Sequence, residues 1–510
     1  MLQEKTKKIL LIVLFFVVFG LTRFLYLGPD EINPDGVNWH YRSQQFIVGL
    51  KTHDFLRTYQ HYHPGVTLMW ISGVAIEAYK QVTNINTYDR TNFLAFNFVA
   101  KASVVSAQLI LTILIFWLLT KIIGFYKSFF TVLLFSLEPF FLGNSRMYHM
   151  DVLLTLFVFL ALICMYLTFN KKSVVYALLT GLFIALSFLT KSIGLGTLVF
   201  AFFYSAYQII KDRKNIKYLG LVTVTSIVMI FALFPALWVQ PMFVLKNIIS
   251  ESERVGLKNG HPQIVLDEYT ETADESFYPL VLLLKVSPFT LLGVVIFALL
   301  LLIDLTKRKL RFDLNSFTLM LFVFYIGYFV VMTIPAKKLD RYMLPEYPFL
   351  AIIAVFGFYK LRDFINKDKI YLGFTGAAAV AFIMLPMFTY YPYYFTYTSP
   401  LVGTPSQANH IIAQKPFGIG MVQLRDYIVK KYGEVSLGFY DTKPIKTIYP
   451  NSKVFDVRAY EPGEYDILVL GIGEDLPANM KDRPDVFFVK DSSIYINGLE
   501  YWRIYVEEDK

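Results

Sequence analysis

The sequence contains one cysteine, Cys164, among 510 residues. A single cysteine excludes a disulfide framework within the chain, and it excludes a metal site built on cysteine ligands. Charged residues are also scarce, at 17% of the chain, whereas hydrophobic residues reach 55% and the mean hydropathy is +0.49. No soluble globular domain of this size has such a composition, so the sequence indicates an α-helical polytopic membrane protein.

The formal net charge of +9 does not indicate nucleic-acid binding. The basic residues lie mainly in short segments between apolar runs, which is typical of the cytoplasmic loops of membrane proteins. We therefore expect the lipid bilayer, and no nucleic acid, as a partner. The basic segment 5–8 precedes the apolar run 9–27 in the manner of a signal peptide. No small-residue cleavage site follows that run, so we interpret it as an uncleaved anchor.

Apolar runs long enough to cross a bilayer recur along the first 390 residues. We predict about eleven transmembrane helices, at roughly 9–27, 97–119, 128–143, 151–169, 174–190, 193–210, 218–239, 280–303, 315–334, 342–359 and 370–389. With the N-terminus in the cytoplasm, every loop on that side is basic, including the loop that follows Thr306. The segments 28–96, 240–279 and 391–510 then lie outside the cytoplasm, in a multi-pass protein of the cell membrane.

The segment 391–510 differs in character from the rest of the chain, because short β-rich runs alternate there with a helical stretch. The predicted strands are Val435–Phe439, Asp466–Leu470, Val486–Val489 and Trp502–Val506, and the predicted helix is Gly420–Lys431. We therefore predict two domains. Residues 1–390 form the transmembrane domain with its outer loops 28–96 and 240–279, and residues 391–510 form a small extracytoplasmic α/β domain.

Five cations fall at the outer ends of predicted spans, where basic residues are disfavoured. They are Arg146, Lys191, Lys337, Lys338 and Arg341. Each one alone could extend to lipid headgroups at the membrane surface. The three between 337 and 341 form a cluster, and a cluster of cations at a membrane surface is a natural receptor for a phosphate group. We predict that Lys191, Lys338 and Arg341 hold this phosphate, supported by Lys337 and Arg146.

Acidic residues appear on the same side of the membrane. Asp35 follows the first span, with Asp30 and Glu31 as nearby competitors, and Asp151 begins the fourth span. Asp35 could simply form a turn in Asn-Pro-Asp-Gly, and Asp151 could simply stabilise the first turn of its helix. An outward acid beside outward phosphate-binding cations nevertheless suggests one chemistry, in which a base takes the proton of an acceptor hydroxyl while a lipid phosphate leaves.

The outer loops also supply aromatic and polar residues of the kind that line a sugar or lipid-headgroup pocket. Beside Asp151, the predicted pocket comprises Trp39, Arg42, Tyr62, His63 and His261. The alternative is an aromatic belt at the membrane interface, where Trp and Tyr are enriched. No metal-ligand spacing such as His-x-x-x-His is present, so we expect no required cofactor and keep a divalent metal only as an alternative.

Five motifs in this order resemble those of the polytopic glycosyltransferases of the dolichyl-phosphate-mannose protein mannosyltransferase type, including the bacterial aminoarabinose lipid A transferases, which have the GT-C fold. The motifs are Pro34-Asp35 with Trp39 and Tyr41-Arg42-Ser43, then His63–Thr67, then Ser145–Asp151, then Leu189-Thr190-Lys191-Ser192, and finally Leu339–Pro348. The resemblance covers nearly the whole chain.

This resemblance implies an inverting transfer of a sugar from a polyprenyl-phosphate donor to a hydroxyl of a protein, lipid or glycan acceptor. It also implies that an Asp of the first outer loop is the catalytic base. Many relatives have Asp-Glu there, whereas Gly36 follows Asp35 in this chain and Asp30-Glu31 does read Asp-Glu. We assign the base to Asp35, because its spacing to Trp39 and Arg42 fits better. The alternatives are a lipid or glycan transporter or flippase, which would favour ionisable residues near the bilayer midplane, and an oligosaccharyltransferase with a pyrophosphate-linked donor, which would usually need a metal.

Overall fold

Helices fall on all of the predicted apolar runs in the computed structural model, which describes residues 2–306, 316–365, 367–461, 463–481 and 488–507. The first nine helices are α1 (Leu2–Phe24), α2 (Pro34–Lys51), α3 (Val66–Thr83), α4 (Phe93–Ile123), α5 (Phe125–Leu137), α6 (Pro139–Arg146), α7 (Asp151–Lys171), α8 (Val174–Thr190) and α9 (Leu195–Lys211). The next nine are α10 (Ile216–Leu233), α11 (Ala236–Val239), α12 (Pro241–Glu251), α13 (Phe277–Lys285), α14 (Pro288–Thr306), α15 (Phe317–Thr333), α16 (Glu346–Ile365), α17 (Asp368–Ala379) and α18 (Leu385–Thr389). Most of the predicted basic loop after Thr306 lies outside the described residues.

Helix α7 is the centre of the helical part, because every residue from 151 to 165 is buried. Helices α10, α14 and α17 instead present apolar side chains outward, with Leu299 at 56% exposure and Leu372 at 64%. Apolar helix faces of this kind are stable in lipid rather than in water. Within the described residues, six helices are long and apolar enough to cross a membrane. The chain is therefore a multi-pass membrane protein, and the number of eleven spans stays a prediction.

Helices α5 and α6 form a bent pair that would make a seventh span, with an angle of 67° between them. The bend follows from Pro139, which lacks a backbone N–H and begins α6. Glu138 at the bend is fully buried and accepts hydrogen bonds from the backbone N–H of Ser287, at 2.9 Å, and from the hydroxyls of Ser287 and Thr290. The break in the helix thus lets a buried carboxyl join two parts of the helical domain.

The C-terminal domain contains a five-stranded sheet with the strand order β4-β3-β5-β7-β6. Its strands are β3 (Leu437–Phe439), β4 (Val454–Asp456), β5 (Ile467–Gly471), β6 (Phe488–Ile496) and β7 (Leu499–Glu507). Strands β1 (Gln263–Val265) and β2 (Glu268–Thr270) form a separate hairpin in the loop 240–279. The helices of the C-terminal domain are α19 (Pro405–Ile411), α20 (Met421–Tyr432), α21 (Thr442–Lys446) and α22 (Ala478–Lys481). Strands β3, β4 and β5 are parallel, and β5, β7 and β6 are antiparallel. The small C-terminal α/β domain is therefore confirmed.

The C-terminal domain pairs with the start of the loop 28–96. The backbone N–H of Ile32 donates to the carbonyl of Gly418 at 3.1 Å, and Glu31 forms a β-bridge with Ile419. Gly418 has φ +70°, and a Cβ there would lie 1.9 Å from the Ile32 carbonyl oxygen, so this position requires glycine. This contact holds the backbone immediately before α2.

Candidate active site

Four separate segments bring five ionisable side chains together, and we call this group the charged cluster. Asp35 comes from the first turn of α2, His149 and Asp151 from the start of α7, Lys191 from the end of α8, and Arg341 from the 3₁₀ turn Asp340–Met343. Residues 35, 151, 191 and 341 were each predicted from the sequence as site residues. The structure brings all four together.

Local sequence explains how the two acids are placed. Asn33 caps α2 by accepting a hydrogen bond from the backbone N–H of Gly36, and Pro34 occupies the first helical position. Asp35 and Asp151 each lie in the first turn of their helix, where the helix dipole stabilises negative charge. The two helix starts face each other across Arg341.

Arg341 joins the two acids. Its Nη2 lies 2.9 Å from Oδ2 of Asp35, and its Nε lies 3.2 Å from Oδ2 of Asp151. Lys191 Nζ contacts Oδ1 of Asp151 at 2.6 Å. His149 lies between the acids, with Nδ1 2.9 Å from Asp151 Oδ2 and Nε2 3.6 Å from Asp35 Oδ2. Two carboxylates thus meet two permanent cations and one imidazole.

These contacts set the charge states. Burial raises the pKa of Asp35, but Arg341 and His149 outweigh that effect and hold it at about 2. Burial lowers the pKa of Lys191, an effect that Asp151 partly offsets. Burial also lowers the pKa of Arg341, but Asp35 and Asp151 outweigh this effect and raise the pKa above its usual value. Asp35 is consequently a carboxylate and Arg341 a cation at neutral pH.

A cavity of about 680 Å³ begins at the charged cluster and continues between apolar helices. Its polar end includes Asp151, Lys191, Lys337 and Arg341, together with Tyr62 and His63. Its remaining wall is mainly apolar and includes Leu154, Leu195, Ile227, Ile230, Phe231, Leu245, Ile248 and Ile249. Within this wall, Ile227 is 52% exposed and Ile249 is 66% exposed. The cavity therefore joins a charged end to an apolar wall whose side chains are partly accessible.

Lys337 differs from the cations of the charged cluster because it lines the cavity without a carboxylate partner among the described residues. Burial lowers its pKa, and the neighbouring charges of Lys191 and Arg341 lower it further. A half-buried lysine beside two other cations gains most from a ligand that carries negative charge.

Two of the predicted phosphate ligands lie away from the cavity, and this placement speaks against their assigned role. Arg146 is buried, with its Nε 2.9 Å from Asp30 Oδ2 and its Nη1 and Nη2 donating to backbone carbonyls of residues 22 and 25. Lys338 Nζ donates to the carbonyls of Ala273 at 2.8 Å and Pro335 at 3.1 Å. Both side chains therefore make their hydrogen bonds inside the protein, away from the cavity.

The competing acids Asp30 and Glu31 are also engaged elsewhere. Lys101 Nζ lies 2.8 Å from a carboxylate oxygen of each, and Arg146 completes the network at Asp30. All four side chains are buried, and Lys101 is fully inaccessible. Among the acids of residues 30–35, Asp35 is the one that reaches the charged cluster.

The predicted pocket residues of the loop 28–96 divide into two groups. Tyr62 and His63 line the cavity, and His63 Nδ1 lies 3.0 Å from the hydroxyl of Ser192, next to Lys191. Trp39 is buried beneath Gly65, which has φ +60° and where a Cβ would lie 2.3 Å from the indole. Arg42 stacks over Trp39 at 4.6 Å. Trp39 and Arg42 support the loop, whereas Tyr62 and His63 meet the cavity.

His261 lies at the contact between the loop 240–279 and the C-terminal domain rather than on the cavity wall. Its Nε2 is 2.8 Å from Nζ of Lys415. Burial lowers the pKa of His261 to about 4, helped by Lys415 and Lys337, and burial lowers the pKa of Lys415 to about 8. The low pKa leaves the imidazole neutral, so it can accept the hydrogen bond of the lysine.

Sequence reasoning missed the roles of His149 and Lys101. His149 stands in the motif Ser145–Asp151, two residues before Asp151, and the backbone between Met147 and Met150 is not helical. Two residues that are two apart in a non-helical segment can point to the same side. Lys101 gave a simpler signal, since it is a lysine inside an otherwise apolar 31-residue helix.

Within the described residues, no group of three or more His, Cys, Asp or Glu side chains is placed to hold a metal ion. This observation does not test whether the protein needs a metal or a cofactor. That it needs neither stays a prediction.

Comparison with known proteins identifies the fold. The family model of the dolichyl-phosphate-mannose-protein mannosyltransferases matches residues 93–238. The crystal structure of ArnT from Cupriavidus metallidurans bound to undecaprenyl phosphate matches with a TM-score of 0.54 and 15% sequence identity, over 97% of each chain. The apo structure of the same protein matches with a TM-score of 0.52 and 14% identity, again over 97% of each chain. Comparison with curated protein sequences gives no match. The chain has the GT-C fold of membrane glycosyltransferases.

Proposed function

We propose that this chain is an inverting glycosyltransferase that moves a sugar from a polyprenyl-phosphate donor to an acceptor hydroxyl. The observation that supports this proposal best is the cavity, which joins a cluster of cations to a long apolar wall. A polyprenyl phosphate has this same division, with a small anionic head on an apolar chain. ArnT, which has the same fold, was crystallised with undecaprenyl phosphate.

The charged cluster can serve both halves of the reaction. Lys191, Lys337 and Arg341 bind the phosphate and stabilise the charge that grows on it as the bond to the sugar breaks. Asp35, whose carboxylate is 40% exposed, accepts the proton of the attacking hydroxyl. One carboxylate is enough, because the phosphate leaves as an anion and needs no proton from an acid, unlike the leaving group in glycoside hydrolysis.

The reaction itself tests the proposal. Purified protein in detergent or nanodiscs would be given undecaprenyl-phosphate-linked sugars, with undecaprenyl-pyrophosphate-linked sugars as the comparison. Release of undecaprenyl phosphate, coupled to an inverted linkage at the sugar, supports the proposal. Turnover of the pyrophosphate donors alone would establish an oligosaccharyltransferase type of reaction instead. Movement of lipid across the bilayer without cleavage of the sugar bond would establish a flippase.

Adjacent lysines provide a matched test of phosphate binding. We expect Lys337→Met to weaken the binding of undecaprenyl phosphate by about tenfold or more, since charge-assisted contacts contribute about 1.5–3 kcal/mol each. Lys338→Met should leave the affinity nearly unchanged, because that side chain bonds to backbone carbonyls outside the cavity. Affinity would be measured by ligand-dependent thermal shift or microscale thermophoresis, with the melting temperature of each free variant as the control for folding. Equal losses in both variants would contradict the assignment of Lys337.

The proposal includes an orientation, with the N-terminus in the cytoplasm and the C-terminal domain outside it. Cys164 is buried, so the natural protein gives a low background with thiol reagents. We expect a cysteine at the exposed position 451 (Asn451→Cys) to react with an impermeant maleimide in intact cells or spheroplasts, and a cysteine at the exposed position 170 (Asn170→Cys) to react only after lysis. The reverse pattern would place the charged cluster on the cytoplasmic side.

A further inference from the structure

His149 is held between the two acids of the charged cluster. Its Nδ1 lies 2.9 Å from Asp151 Oδ2 without an aligned hydrogen bond, and its Nε2 lies 3.6 Å from Asp35 Oδ2. The imidazole is only 8% exposed. Asp–imidazole pairs in which the acid holds one ring nitrogen and leaves the other free are established proton acceptors in catalysis.

His149 Nε2 faces Oδ2 of Asp35 across 3.6 Å, which is longer than a hydrogen bond. A carboxylate can only accept a hydrogen bond, so these two atoms form one when a single proton lies between them. Nε2 is thus the nearest ring nitrogen for a proton that Asp35 has taken up.

Asp35 alone is a poor resting place for that proton. An acid with so low a pKa gives up its proton at neutral pH almost as soon as it gains one. An imidazole is a stronger base than a carboxylate and retains a proton far better. A second proton acceptor within reach of Asp35 therefore suits the reaction better than Asp35 by itself.

We propose that the pair of Asp151 and His149 is a proton relay that receives the acceptor's proton from Asp35. The inference rests on the proposed glycosyl transfer. An oxygen lone pair of the acceptor forms the bond to the anomeric carbon, and the bond from that carbon to the phosphate oxygen breaks, with its electron pair leaving on the phosphate. The acceptor's proton passes to Asp35 and then to Nε2 of His149, which releases it to solvent when the products leave.

Charges of both signs lie around His149. Asp35 and Asp151 face the ring directly, and the cations Arg341 and Lys191 contact these acids. The relay requires the neutral imidazole at the start of each turnover. Asp35 is a carboxylate throughout the range from pH 5 to 8. A loss of rate on the acid side that is present in the wild type and absent from the His149 variants therefore reports on His149.

The test compares pH–rate profiles of the wild-type protein with those of His149→Asn and His149→Gln. An Asn at 149 keeps a short N–H donor toward Asp151 and removes the base. We expect the wild-type rate to be lower on the acid side of the range from pH 5 to 8, because the relay needs a neutral imidazole. Both variants should be slower by about 10²-fold and should show a flat profile from pH 5 to 8. Their affinity for undecaprenyl phosphate should be unchanged, because the phosphate-binding cations are intact.

His53→Asn, at an exposed histidine of the loop 28–96, is the matched control and should behave like the wild type. The relay is overturned if the slower variants keep the wild-type acid limb, which is the signature of a purely structural role, or if the wild-type profile is itself flat over this range. A wild-type protein with no turnover of polyprenyl-phosphate donors would overturn the proposed function, and the relay with it. Active wild-type protein combined with an unchanged profile in the variants removes the relay alone.

Discussion

Replacing Asp35 by Asn is expected to lower the rate of sugar transfer by about 10²–10⁴-fold, which corresponds to about 3–5 kcal/mol of activation free energy. Asn retains the size of Asp and much of its hydrogen bonding, but it cannot accept the proton of the acceptor hydroxyl. The loss should appear in kcat. The affinity for undecaprenyl phosphate should change little, since Lys191, Lys337 and Arg341 remain in place.

Three companion variants make this experiment decisive. Asp30→Asn and Glu31→Gln alter acids that are paired with Lys101 away from the cavity, so any loss of rate there should follow a loss of folded protein. Asp151→Asn alters the acid that contacts both Lys191 and Arg341, and it should weaken donor binding as well as slow the reaction. If a folded Glu31→Gln or Asp30→Asn protein is inactive while Asp35→Asn retains its rate, the base has been assigned to the wrong motif.

Replacing Lys101 by Met is expected to destabilise the protein by about 3–5 kcal/mol, because it leaves the buried Glu31 without a cation and Asp30 with Arg146 alone. The lysine side chain is fully inaccessible and lies 2.8 Å from both Asp30 and Glu31. Unfolding in detergent would be followed by temperature or by denaturant titration. Lys121→Met, the same substitution at an exposed position of the same helix, should have a small effect.

A second substitution separates the charge effect from lost packing. Adding Glu31→Gln to Lys101→Met removes the unpaired charge of Glu31 and should restore part of the stability. A double variant that is less stable than Lys101→Met would show that the network is held by the shape of its side chains rather than by their charges. Little destabilisation in Lys101→Met itself would mean that Arg146 alone can neutralise both acids.

The sequence predicted the helices well because an apolar run is a local signal. A stretch such as Asp151–Lys171 is hydrophobic on all sides and can only be a buried or membrane helix. The sheet was harder. Strand β4 comprises only three residues, Val454–Asp456, and it is a strand because β3 lies beside it, which no window of its own sequence records.

In the candidate site, too, the sequence predicted which residue types are present better than it predicted where their side chains point. Asp35, Lys191 and Arg341 could be predicted because charged residues at the ends of apolar spans are costly unless they are used. The sequence predicted Lys338 as a phosphate ligand and Lys337 as its support, although two adjacent lysines carry the same local signal. The backbone there is not helical before Asp340, and the two neighbouring lysines point to different surroundings, one to the cavity and one to backbone carbonyls.

The β-bridge between Glu31 and Ile419 couples the two domains of this chain, so neither domain can be exchanged independently of the other in evolution or in engineering. Asp35, the proposed base, lies in the first turn of α2, four residues after Glu31. The sheet domain therefore holds the backbone that places this carboxylate. A chimaera that took its C-terminal domain from a relative would need to import the residues around Ile32 along with it, since Gly418 leaves no room for another partner. Substitutions around Glu31 are thus constrained by the residues around Ile419, and the reverse, although almost 400 positions of the chain separate them.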